Sequence, residues 1–177
     1  LTEIDISRLD ASSVENMDVM FGSCTSLENL DLSSFDTSNV TTMSGMFTNC
    51  QSLENLNVSG IDTSNVKDMA NMFYNCRSLE NLDLSSFDTP RLRDTRFMLG
   101  SCINLESIDL SGFNTSEVLG GRGWDMFPDC SSLVRINFSK DFFRGDMRFS
   151  YPYTRQTEWV AADNSDRILS WEGMCQD

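Results

Sequence analysis

Five cysteines recur at near-constant intervals. Cys24, Cys50, Cys76 and Cys102 stand 26 residues apart, and Cys130 follows after 28. Regular cysteines first raise metal or disulfide chemistry. Zinc sites pair cysteines about two to four residues apart, and no such pair occurs here. Cysteines at one position of successive stacked coils point the same way rather than at each other, which disfavours bridges. The ladder Cys24, Cys50, Cys76, Cys102 and Cys130 therefore reads as structural, with buried thiols acting as small hydrophobes. Cys175 lies outside the ladder.

Carboxylates recur as well. Asp5, Asp31, Asn57, Asp83, Asp109 and Asn137 share one position, and Glu28, Glu54, Glu80 and Glu106 share another. Stacked like charges repel unless screened, so the plain reading is a solvated face that also discourages sheet aggregation. The sharper reading is weak Ca²⁺ binding, since Ca²⁺ prefers carboxylate oxygen, but no EF-hand loop or comparable ligand spacing is present. No acid pair stands out for general acid–base work. Histidine is absent altogether. That removes Ser-His-Asp and Cys-His catalysis and most zinc enzymes. We expect no enzyme and no cofactor.

The charge balance narrows the partners. Thirteen basic residues face 27 acidic ones, for a net charge of −14. A phosphate backbone demands clustered cations, so nucleic acid is excluded, and a bare anionic membrane is excluded likewise. No apolar run reaches the roughly 18 residues needed to span a bilayer, so membrane insertion is not expected.

What positions these groups is a repeat. Leu27, Leu30 and Leu32 return as Leu53, Leu56 and Val58, then as Leu79, Leu82 and Leu84, then as Leu105, Ile108 and Leu110, and last as Leu133, Ile136 and Phe138. Leu30-Asp31-Leu32 alternates with period two, the mark of a short strand buried on one face. Val40, Met43 and Phe47 fall at i, i+3 and i+7, which predicts a short helix with Asp36-Thr37-Ser38-Asn39 as its N-cap. The fold class expected is an α/β repeat, a right-handed leucine-rich-repeat solenoid with a parallel sheet, short helices and a C-terminal cap. Residues 1–139 make about five to six coils of roughly 26 residues, the first partial, and 140–177 form an aromatic-rich capping segment. That segment reads as including a hairpin through Trp159–Leu169. The chain opens in mid-pattern and reads as part of something longer.

Cys-x-Ser-Leu-x-x-Leu-x-Leu-Ser followed by Met-Phe-x-x-Cys resembles the BspA-like leucine-rich repeats of bacterial surface proteins. Ser33-Ser-Phe-Asp-Thr-Ser-Asn-Val-Thr41 is particularly close to that family's units. The resemblance implies an extracellular or cell-surface location and, for some members, attachment to host matrix proteins or to other cells. No catalytic residues come with it.

The expected function is a non-catalytic cell-surface interaction or adhesion module. The alternative is a structural spacer or stalk within a larger surface protein, which the monotony of the strand positions favours. Identical coils give a partner no reason to choose among them, so specificity should lie where the pattern breaks. The breaks supply Arg91, Arg93 and Arg96 in the fourth unit, Arg122 and Trp124 in a two-residue insertion, and Arg144, Tyr151 and Tyr153 beyond. Arg, Trp and Tyr are the residues that most often anchor interfaces. The plainer reading is that these arginines offset neighbouring carboxylates. Arg144-Gly145-Asp146 spells an integrin-recognition tripeptide, which also reads as a turn in the cap. Asn39, Asn57, Asn114 and Asn137 open glycosylation sequons that arise from the repeat's own composition.

Overall fold

The computed structural model describes residues 2–139, 141–142, 147–148 and 158–161. The period-two stretches form short strands: β1 Asn29–Asp31, β2 Asn55–Asn57, β3 Asn81–Asp83, β4 Ser107–Leu110 and β6 Arg135–Phe138. The pleat turns Leu30 inward and leaves Asn29 and Asp31 on the open face. Pairing is parallel and moves by one unit at a time: Leu30 faces Leu56 and Leu82 faces Ile108, while Ile108 faces Ile136 across the insertion. Two further strands extend the order, β5 Gly123–Trp124 pairing with β7 Met147–Arg148, and β8 Glu158–Ala161 pairing with β6. The ladders divide into a two-stranded sheet β1-β2, a four-stranded sheet β3-β4-β6-β8 and a two-stranded sheet β5-β7.

The expected α/β leucine-rich-repeat solenoid does not form. No described residue is helical, and the strands are short and split among small sheets. The helix expected at 40–47 fails for a reason visible in its hydrogen bonds. Met46, Thr48 and Cys50 N–H donate to the carbonyls of Met43, Gly45 and Phe47, three residues back rather than four. The alternate amides of Met43, Gly45, Phe47 and Asn49 instead donate across to Asp68, Ala70, Met72 and Tyr74 of the next coil. A chain of tight turns thus shares its donors between its own coil and its neighbour. Such turns need left-handed residues, and two columns supply them. Val19, Gly45, Asn71, Phe97 and Asp125 form one, and Ser23, Asn49, Asn75, Ser101 and Asp129 the other, all with φ between 51° and 62°. Glycine and asparagine take this conformation most readily, and one such residue every fourth position forbids a helix.

The expected caps do other work. Asp36 accepts the Ser38 N–H at 3.0 Å in an Asx turn. Thr37 is buried and reaches the next coil, accepting the Asp62 N–H at 2.8 Å and donating to the Asp62 carbonyl at 3.0 Å. Thr63 and Thr89 repeat both bonds with Asp88 and Asn114. Between strand and turns lies a continuous core of Leu, Met and Phe columns. Phe21, Phe47 and Phe73 stack with centroids 5.7 and 5.3 Å apart and planes 2° and 12° from parallel. Each fully buried side chain of this size stabilises by about 1.5–3 kcal/mol, which a lone coil could not collect. Of the segment expected as a cap, residues 140, 143–146, 149–157 and 162–177 lie outside the described residues, and with them most of the expected hairpin.

Candidate functional site

The open face of the strands is a trough of about 790 Å³. Two columns line it. Asn29, Asn55, Asn81, Ser107 and Arg135 form one, and Asp31, Asn57, Asp83, Asp109 and Asn137 the other. The first column ties itself together: the Asn55 amide donates to Asn29 at 2.7 Å and the Ser107 hydroxyl to Asn81 at 2.6 Å. In the second, one oxygen of each acid closes a turn. Asp31 accepts the Ser33 N–H at 2.8 Å, and Asp83 and Asp109 repeat the bond with Ser85 and Ser111. These donors hold the carboxylates of Asp31 and Asp83 below their usual range, the backbone amide leading at Asp31 and the Ser85 side chain at Asp83. The acids of this column are therefore turn formers, and the second oxygen of Asp109 is taken by the Asn137 amide at 3.1 Å. Among the described residues no three His, Cys, Asp or Glu side chains gather in a way that could hold a metal ion.

The thiols of Cys50, Cys76, Cys102 and Cys130 are free and buried, and Cys24 is half-buried. Each buried thiol donates to a carbonyl of the preceding coil, at Phe21, Phe47, Phe73 and Leu99, over 3.0–3.1 Å. Burial pushes the Cys50 thiol up to about 11 and raises the other three as well. Thiols held protonated in this way are poor nucleophiles.

The pattern-break arginines separate into two groups. Arg96 forms a fork on Asp94, with Nη2 2.6 Å and Nε 3.0 Å from the two carboxylate oxygens. Arg122 comes within 4.0 Å of the same acid. Asp94 is only 2 % exposed, so these cations answer a buried charge. The insertion explains their meeting. Thr95 N–H donates to the Arg122 carbonyl as Met69 N–H does to Asp94, so Arg122 continues the column Asn16, Thr42, Asp68, Asp94 into the next coil. Asp68, earlier in that column, is raised by burial and by the charges of Asp94 and Asp18. Arg91 and Arg93 are exposed. The backbone of Trp124 lies in β5. Arg144, Tyr151, Tyr153, the Arg144-Gly145-Asp146 tripeptide and Cys175 lie outside the described residues. Two sequon asparagines spend their side chains between coils, Asn39 donating to the Ser12 carbonyl at 2.7 Å and Asn137 to Asp109 at 3.1 Å. Sequence reasoning missed the buried threonines, although Thr37, Thr63, Thr89 and Thr115 stand 26 residues apart.

A family model described as Mycoplasma protein of unknown function, DUF285, matches residues 2–79 and again residues 54–142. The chain belongs to the DUF285 family. The two matches overlap over residues 54–79, a span of one 26-residue unit, so the family model slides along the repeat as the coils do. This corrects the resemblance drawn from the Cys-Ser-Leu and Met-Phe motifs. The family that matches is DUF285, whose description states no function, and not the BspA-like leucine-rich repeats. The DUF285 match makes this a repeat protein of a bacterial family. No curated protein and no solved structure matches the chain.

Proposed function

We propose that this DUF285 chain is a non-catalytic interaction module displayed at the cell surface, and that it holds a protein partner in the trough. The trough supports the reading. It runs across successive coils, carries the carboxylates of Asp31 and Asp83, and has a floor tied together by the Asn55–Asn29 and Ser107–Asn81 bonds. A floor that needs no reorganisation lowers the ordering cost of binding. Membership in a bacterial repeat family supports display at the surface. The partner that fits is an extended segment rich in Lys or Arg, as in an exposed stretch of a matrix or surface protein, because its cations would meet an acidic wall. A spacer is the second reading, and the sameness of Asn29, Asn55 and Asn81 favours it, since anchors tuned to one partner usually differ.

The test is capture of the chain on immobilised matrix proteins and on whole bacterial cells at low and high salt. The variants Asp31→Lys and Asp83→Lys should together cut capture by about tenfold or more, and NaCl should weaken it in the parent. Salt-insensitive capture that survives both substitutions would remove the trough from the mechanism. No specific capture on any surface would leave the spacer.

A further inference from the structure

The fourth unit keeps its phenylalanine in a different place. The buried column Phe21, Phe47, Phe73 and Phe127 holds Leu99 in that unit, while Phe97 stands two residues earlier and is 42 % exposed. Position 97 belongs to the left-handed column, with φ 55°, a conformation that glycine and asparagine adopt freely and a bulky side chain adopts at a cost. Val19 sits in the same column and is likewise exposed, although its Cγ1 leans over Gly22 of its own coil. The corresponding space over Gly100 is taken by Tyr74 and Pro128, 2.9 and 3.0 Å from such a Cβ. Phe97 therefore stays outside, at odds with both its backbone and its hydropathy. Side chains that break a local rule with no structural return gather at functional sites.

The segment that carries it is rich in cations. Lys67 and Arg93 are exposed and adjacent across two coils, joined where the Arg93 N–H donates to the Lys67 carbonyl at 2.8 Å. Arg96 precedes Phe97 and is half exposed. Asp68, Asp94 and Asp125, the last beside Phe97 in its own column, offset much of this charge, yet on a chain of net charge −14 the grouping of cations is still an exception. We propose that Phe97, with Lys67, Arg93 and Arg96, is a docking face for an acidic peptide segment carrying one apolar anchor. An aromatic among arginines is the composition of an interface anchor. An acidic partner is steered here because the strand face of the same molecule repels it. This face is separate from the trough and takes the opposite charge.

The probe is a fluorescein-labelled peptide of glutamates flanking a single tryptophan, followed by anisotropy against the whole chain at low salt. Saturable binding that weakens as NaCl rises is expected. Phe97→Asn, which installs the residue this column carries at Asn71, should weaken binding about tenfold or more. The same substitution should raise Tm by about 2–4 °C, because it relieves the backbone. Arg93→Glu should weaken binding comparably, and Arg8→Glu, at an exposed arginine of the first coil, should not. A peptide that does not bind would overturn the proposal, as would Phe97→Asn binding like the parent. A fall in Tm for Phe97→Asn would do so too, by showing a packing role. A parent that sediments as a dimer unaffected by the peptide would give the face to a second copy instead.

Discussion

A buried threonine hydroxyl does two jobs at each seam between coils. Thr63 accepts the Asp88 N–H and donates to the Asp88 carbonyl, so one side chain satisfies both backbone groups of that residue. Thr63→Val keeps the shape and strands both groups, which costs about 1–3 kcal/mol or more. Thr63→Ser keeps the hydroxyl and loses only a methyl. Urea melts should therefore rank parent, Ser, Val in falling stability, and a Val variant as stable as Ser would refute the two-bond role. At this scale the sequence was partly legible. The recurrence of cysteine announced a column, and burial of the side chains followed from the leucines beside it. The threonine column had the same period and was passed over, because Thr next to Asp and Ser also fits a helix cap. Displacement of Phe97 from its column was equally visible as a two-residue shift, and it acquired meaning only once the φ of that position was known.

The turn segment is where sequence and structure part. Val40, Met43 and Phe47 fit a helical stripe, yet the observed bonds run three residues back and, at alternate amides, across to the next coil. Gly45, Asn49, Asn71 and Asn75, four residues apart within each unit, were the signal for left-handed turns. The strands were easier, since period two has no competitor at that length. The column of Asn16, Thr42, Asp68 and Asp94 gives this segment its electrostatic weak point. Burial raises Asp68, so its charge costs stability at neutral pH, and the cost fades as pH falls through its folded value. Asp31 and Asp83, held low by their turn donors, behave oppositely and lose their contribution as pH falls. Asp68→Asn keeps an oxygen for the Ala70 N–H, as Asn16 does for Asp18 in the same column. That variant should melt above the parent at pH 7 and together with it near pH 3. A lower melting temperature at pH 7 would mean that the attraction of Asp68 to Arg96 outweighs its burial.

Over the whole molecule, a net charge of −14 must be carried by a stack whose acids recur in rows. Exposed like charges are screened by salt, so moderate NaCl should raise Tm. Millimolar CaCl₂ should do no more than NaCl of equal ionic strength, and a clear excess would reveal a specific cation site. The seams have a different consequence. Thr37, Thr63 and Thr89 grip only backbone atoms of the coil ahead, and the alternate amides of the turns do the same. These main-chain bonds carry no address, and side-chain pairs beside them, Asn55 with Asn29 and Asn75 with Asn49, join residues of one type. Wherever those types recur, a gene that duplicates or drops one 26-residue word still encodes joints that close. Length, in such a protein, is free to drift between generations while every seam stays grammatical.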